Sequence, residues 1–231
     1  MTTTEIQLMK TGIFRILRRN AHISLRRINN LLPRKSLQGK LYEVHVLATI
    51  LDELTIQEGC GVKLIGSSHL VLKQKGSPIN RSYPYFEIWK DSKLFGEIFN
   101  DVYFSTLSYQ LKGYIIPKTF GDYHELDIVM VKPYNRKIDI EYPRIDDIMI
   151  AVECKCISQL TKNIIREVLG YRRELSTFVS TPEKTPFNVF PIDFINSKPN
   201  SVHMFYCTDE RVTEYHSNCI QFGTIVKYHR P

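Results

Sequence analysis

The chain is poor in the features that mark a membrane-spanning or secreted protein. No apolar run approaches the roughly 20 residues a membrane-spanning helix requires. The start, Met-Thr-Thr-Thr-Glu, has no basic stretch followed by an apolar one, so no secretory signal is expected. Cysteine is sparse and odd in number: Cys60, Cys154, Cys156, Cys207 and Cys219. Their apolar settings suit reduced thiols and a cytoplasmic protein, and the absence of CxxC-like pairs argues against structural zinc. No Walker loop, GxGxxG, HExxH or Ser-His-Asp spacing occurs, which removes the common nucleotide-binding, zincin and serine-hydrolase readings. Repeats and low-complexity tracts are missing too. At 231 residues, 43% hydrophobic and 24% charged, the chain suits one folded domain with at most an appendage.

Acid is almost absent from one region. Residues 1–40 hold nine basic side chains (Lys10, Arg15, Arg18, Arg19, Arg26, Arg27, Arg34, Lys35 and Lys40) against Glu5. That segment carries +8 of a net +7, so the other 191 residues sum to −1. Local basicity suggests a nucleic-acid backbone as partner, with an anionic membrane surface or a solubilising role as alternatives. Ile13, Phe14, Ile16 and Leu17, then Ile23, Leu25, Ile28, Leu31 and Leu32, recur at roughly helical spacing up to Pro33, with Asn20 as a candidate break. The segment 1–38 is therefore expected to be a basic, amphipathic helical arm whose apolar face packs on the core or on a second subunit.

A second helix is expected over 36–58, with the stripe Leu41, Val44, Leu47, Ala48, Leu51 and Leu54, closed by Gly59 and Gly61. The part 57–120 reads as strand-rich. Residues 85–90 and 94–99 form a hairpin about the polar turn Asp91-Ser92-Lys93, and 102–109 extend the sheet. Residues 125–131 form a nearly unbroken apolar strand carrying one acid, Asp127. The proline-bearing, charged stretch 132–147 is an excursion between core strands. Another buried strand spans 147–156, the strongest helix 161–176, a proline-rich loop 180–198, and final strands 201–207 and 220–228.

The chemistry concentrates in Ala151-Val152-Glu153-Cys154-Lys155-Cys156. On a strand, Glu153 and Lys155 share a face, about 7 Å apart, while Cys154 points away. Unpaired charges inside an apolar strand cost several kcal/mol, roughly, so this placement needs a reason. An ion pair at a strand end, with Asp127 capping a turn, is one reason. A divalent metal meeting a phosphate is the other. Asp127, then Glu153-x-Lys155, then a helix and a strand resembles the PD-(D/E)XK nuclease superfamily, which includes restriction enzymes and Holliday-junction resolvases. The resemblance covers roughly residues 39–207. It departs from the usual pattern in having Leu126 where proline often precedes the Asp, and in a long Asp-to-Glu interval of 26 residues.

The resemblance implies an α/β, restriction-endonuclease-like core over 39–231: a central mixed β-sheet flanked by helices in the order α-β-β-β-α-β, with the basic helical N-terminal segment added. It implies a Mg²⁺- or Mn²⁺-dependent endonuclease acting on DNA in preference to RNA, in restriction, repair or defence. Asp127 and Glu153 would be catalytic metal ligands, the Cys154 carbonyl a further ligand, and Lys155 the residue that orients or deprotonates the water or offsets transition-state charge. Asp122, Glu125, Asp146 and Asp147 are alternative ligands. Glu43 is either an added metal ligand on the first core helix or a solvent-facing acid. Gln159 and Tyr171 are similar to the Gln and Tyr of the RecB-like branch. Lys162, Arg166 and Arg173 fall near one face of the helix after the motif and, with Arg18, Arg19, Arg26 and Arg27, are candidate phosphate contacts. His124 is a strand-edge histidine or a partner of Asp127. Double-strand cutting would require a homodimer or higher assembly. An RNA-cleaving or ligand-gated effector nuclease, or a non-catalytic binding module on this fold, are the rival readings.

Overall fold

The computed structural model describes residues 2–23, 38–66, 75–113, 119–133, 142–179, 187 and 197–231. Helix α1 (Thr3–Ala21) starts at a capping box in which Thr2 and Glu5 exchange bonds of 2.6 and 3.2 Å, and ends at His22 in the left-handed region. Its buried residues Met9, Ile13, Ile16, Leu17 and Asn20 follow helical spacing and face α2 (Gln38–Ile56). Gly12 lets the two helices approach, since a Cβ there would lie 3.3 Å from His45 Cε1. The expected α2 stripe is buried, and Tyr42, Val46 and Ile50 are buried with it. Gly59, at φ 68°, closes α2 as its C-terminal position demands. The continuation of the N-terminal helix beyond Ile23 lies outside the described residues, as do Arg26 and Arg27.

Strands β1 (Gly61–Ile65), β2 (Tyr85–Lys90), β3 (Lys93–Ser105), β4 (Tyr123–Val131) and β5 (Ile148–Lys155) pair antiparallel in that order. The β2–β3 turn is two residues long. Asp91 and Ser92 both take positive φ, 49° and 60°, as a tight hairpin turn of this hand requires. β3 runs through to Ser105 instead of pausing at Phe99, and Thr106 then caps the short helix α3 (Leu107–Leu111), so 107–111 is not strand. Helix α4 (Lys162–Leu175) carries the chain across the sheet, as a parallel partner for β5 requires.

A separate two-strand ladder joins β6 (Thr177–Phe178) to β7 (Ser197–Lys198). Strand β8 (Val202–Cys207) lies parallel to β5, and after α5 (His216–Ile220) strand β9 (Thr224–Tyr228) lies parallel to β8. The result is a seven-stranded mixed sheet ordered β1-β2-β3-β4-β5-β8-β9. The order α2, β3, β4, β5, α4, β8 reproduces the α-β-β-β-α-β succession expected from the sequence.

The sheet is covered on both faces. One face packs on α1 and α2 through Ile98, Ile128, Met130, Ile150, Val152 and Cys154. The other meets α4 and the short 3₁₀ helix Glu210–Tyr215 through Phe99, Val129, Ala151, Phe205 and Val226. This double burial is why β4, β5 and β8 read as continuous apolar runs. Among the described residues, no helix is long and apolar enough to cross a membrane. Of the excursion between β4 and β5, residues 134–141 lie outside the described set.

A candidate carboxylate–lysine site at the β4–β5 gap

The two sides of β5 are paired to different depths. β4 accompanies it from Val131↔Ile148 to Ile128↔Val152, whereas β8 stays in register through Lys155↔Cys207. The β4–β5 ladder therefore opens at the level of Asp127 and Glu153. A buried backbone donor needs an acceptor, and the Cys154 N–H finds one in Asp127 Oδ2 at 2.7 Å. The Asp127 side chain thus substitutes for a missing rung and is pinned by it. Cys154 itself, whose carbonyl was expected to ligate metal, gives its N–H to Asp127 and buries its side chain on the α2 side.

A second acid faces Asp127 from β3. Asp101 lies between the pairs Asn100↔Ile128 and Val102↔Leu126, which sets it directly across from Asp127. Its φ is 52°, a conformation that Asp tolerates better than most residues. Strand side chains should alternate between faces. Yet Phe99 and Val102, three apart, both join the α4-side core, and so do Leu126 and Val129 opposite them. Both strands slip phase at one level, and the slip delivers Asp101 and Asp127 toward α2. There Glu43 completes a cluster: one carboxylate oxygen from each of Glu43, Asp101 and Asp127 lies within 4.8 Å of the others. Lys40, one helical turn before Glu43, bonds Glu43 Oε2 at 2.8 Å and is ion-paired with Asp101 Oδ1.

Glu153 and Lys155 belong to the other face. Their side chains are ion-paired to each other, and Glu153 sits among Leu126, Val168, Tyr171 and Leu175 beneath α4. Glu153 is near enough to feel the charge of Asp127 but stands outside the three-acid cluster. Burial governs the titration of these groups. It pushes Glu43 up to about 8, with Asp127 adding to the rise and Lys40 opposing it. It pushes Glu153 up to about 8, with Asp127 again adding and Lys155 opposing. Asp127 rises to about 6, restrained by the Cys154 N–H and by Lys155. For Lys155, burial acts downward, but Glu153 and Asp127 more than reverse it, so the ammonium is held above the ordinary lysine range. Four carboxylates share two ammonium groups. Hard oxygen donors converging with a shortage of positive charge are the donor set that Mg²⁺ or Mn²⁺ takes, and Glu43, Asp101 and Asp127, with Glu153 nearby, fit such an ion.

The alternative ligands have other occupations. Asp122 accepts from Thr119 N and Oγ1, both at 2.7 Å, and from Lys112 at 3.2 Å. Asp147 accepts from Arg144 N at 3.3 Å, and Asp146 from Gln110 at 3.4 Å. Glu125 packs beside Gly76. None of the four joins the acidic cluster found among the described residues. Gln159 is exposed on the loop after β5, Tyr171 donates to Glu167 at 2.8 Å, and His124 packs on the Tyr171 ring at 5.2 Å.

The candidate phosphate contacts are not brought together. Lys162, Arg166 and Arg173 are exposed on α4, with Arg173 lying over the Phe178 ring at 5.0 Å. Arg18 and Arg19 are exposed on α1, on the opposite side of the sheet, and Arg19 is ion-paired with Asp52. Asp101 and Lys40 were not anticipated. The signal for Asp101 was an Asn-Asp pair inside a strand pattern. For Lys40 it was a lysine three residues before Glu43, at the spacing of helix neighbours.

No protein-family model matches the chain, and no curated protein matches it. Among solved structures it is similar to NucC of P. aeruginosa ATCC27853 in its cAAA-bound form, with 8% sequence identity and a TM-score of 0.34, over 95% of this chain and 73% of that one. A likeness at that level transfers no residue roles.

Proposed function

We propose that the chain is a divalent-cation-dependent phosphodiesterase of the PD-(D/E)XK type, an endonuclease that hydrolyses DNA with Mg²⁺ or Mn²⁺. The observation that carries this reading is the convergence of Glu43, Asp101 and Asp127 beside the Glu153–Lys155 pair, where the β4–β5 ladder opens. Glu43, Asp101 and Asp127 would hold a divalent ion, which would supply Lewis-acid charge stabilisation to phosphodiester hydrolysis.

The chain's own groups do the remaining work. Asp127, tied through Oδ2 to the Cys154 N–H, is a rigid donor whose direction does not depend on side-chain entropy. Glu153 holds Lys155 in place through their ion pair. Lys155, kept above the ordinary lysine range by Glu153 and Asp127, would act as a fixed ammonium that offsets negative charge building on the phosphate. Burial and the charge of Asp127 raise Glu43 and Glu153, so positive charge arriving at the cluster would favour their ionised forms. The basic segment 1–40 supports a nucleic-acid backbone as substrate. Cutting both strands takes two such sites, which favours a homodimer or higher assembly.

The test is cleavage of supercoiled plasmid by the wild type and by Lys155→Ala, with Mg²⁺ or Mn²⁺ and then with EDTA. Nicking or linearisation is expected from the wild type alone, stopped by EDTA and reduced on the order of a thousandfold in Lys155→Ala. Cleavage that survives EDTA and is equal in Lys155→Ala would overturn the reading. So would intact DNA and RNA together with no Mn²⁺ binding by calorimetry. Cleavage confined to RNA would redirect the substrate and keep the site.

A further inference from the structure

We propose that Lys40 is the displaceable counter-ion of the acidic cluster, so that a divalent cation enters by exchanging with its ammonium group. This deepens the metal reading and rests on it. Asp101 is fully buried, and both of its carboxylate oxygens are occupied: Oδ2 accepts from Asn100 Nδ2 at 3.0 Å, and Oδ1 takes the Lys40 ammonium. Each oxygen keeps a second lone pair, but a divalent cation at Asp101 Oδ1 would stand beside the Lys40 ammonium, a repulsion that is relieved when one of those partners leaves. Asn100 is the adjacent residue, buried in the same strand, and has nowhere to go. Lys40 has a long flexible stem and reaches solvent, its side chain being 15% exposed. The same ammonium also covers Glu43 Oε2. It therefore sits on oxygens of two of the three acids that converge.

The position of Lys40 points the same way. It lies in the first turn of α2, which holds no acid of its own. A cation there is opposed by the positive end of the helix dipole. What holds it is the pair of carboxylates, one of them 61 residues away in sequence. Lys155, by contrast, binds Glu153 outside the three-acid cluster and need not move for a cation to enter.

Two measurements on the full chain test the exchange, and neither reads activity. The first is Mn²⁺ affinity by calorimetry for wild type, Lys40→Met and Asp127→Asn. With the internal competitor removed, Lys40→Met is expected to bind Mn²⁺ about tenfold more tightly than wild type. The second is the side-chain ammonium resonance of Lys40 in the wild type, assigned by its loss in Lys40→Arg. It should be observable in the metal-free protein, where two carboxylates shield it from exchange, and should shift or broaden on adding Mg²⁺. If Lys40→Met fails to fold, the second measurement decides alone. Equal or weaker affinity in Lys40→Met, or an ammonium signal unmoved at saturating Mg²⁺, overturns the exchange while leaving the metal site standing. If the wild type binds no Mn²⁺, or Asp127→Asn binds it as well as the wild type does, the metal reading fails and takes this inference with it.

Discussion

Strand β3 buries two acids four positions apart, Glu97 and Asp101, and surrounds them differently. Glu97 receives the Arg81 guanidinium on both oxygens, with Nε at 3.3 Å from Oε1 and Nη2 on Oε2, and Arg81 lies over the Phe99 ring at 5.7 Å. Its cross-strand neighbour Glu87 is also acidic and buried, but takes the Trp89 indole N–H at 3.2 Å. Each carboxylate there has a planar, well-anchored donor of its own. Asp101 instead shares one ammonium with Glu43 and faces Asp127 across the strands. The first cluster closes on itself through fixed donors. The second gathers more negative charge than its donors cover. A buried acid is therefore no signal by itself, and the informative feature is several acids sharing too few cations.

The sharpest way to break this contrast is to neutralise one acid in the open cluster and one donor in the closed one. Asp127→Asn keeps the shape and the acceptor for the Cys154 N–H. Calorimetry should find Mn²⁺ binding abolished, and nuclease activity should fall on the order of a thousandfold. The metal-free protein should melt no lower than wild type, because a like charge has been removed beside Glu43 and Glu153. Arg81→Met strands Glu97 instead. It should cost about 3 kcal/mol, on the order of 9 °C in melting temperature, while Mn²⁺ affinity stays within about twofold. Lost Mn²⁺ binding in Arg81→Met with retained binding in Asp127→Asn would reverse the roles assigned to the two clusters.

The same contrast explains what was legible in the sequence. The α2 stripe from Leu41 to Leu54, the apolar runs of β4 and β5, and the amphipathic α4 were readable because burial imposes their periodicity. Asp127, Glu153 and Lys155 stood out as charges inside such runs, and Asp127 and Glu153 mark the level at which the β4–β5 ladder opens. Asp101 did not stand out. Asn100-Asp101 reads as a pause between Phe99 and Val102, whereas β4 pairs on both sides of it and keeps the strand continuous through a positive φ. Lys40 was one basic residue among nine, and its role depends on how α2 lies against β3, a long-range fact that no local pattern carries. Periodicity also gave the outward face of each helix without saying which side of the sheet the helix covers. The candidate phosphate contacts on α1 and α4 therefore fall on opposite sides.

The smallest expected effect sharpens the comparison through pH. Glu43 and Glu153, held near 8 by burial, lie well above their unfolded values near about 4, so the folded protein binds these protons more tightly than the unfolded chain. The stability they contribute is complete at low pH and is lost as pH rises through about 8. Buried histidines act in the opposite sense at lower pH. His45 is pushed down to about 4 and His203 well below its ordinary value, both chiefly by burial, so they withdraw stability as pH falls. The window that isolates the carboxylates is therefore pH 7 to 9, in the metal-free protein. Its melting temperature should fall there by on the order of 5 °C. Saturating Mn²⁺ should remove the fall at the lower end of that window, because a cation at the cluster stabilises the ionised carboxylates and brings their titration down toward the unfolded value. A melting temperature that is level from pH 7 to 9 without metal would mean that Glu43 and Glu153 are already compensated as fully as Glu97, and the distinction between the two clusters would be lost.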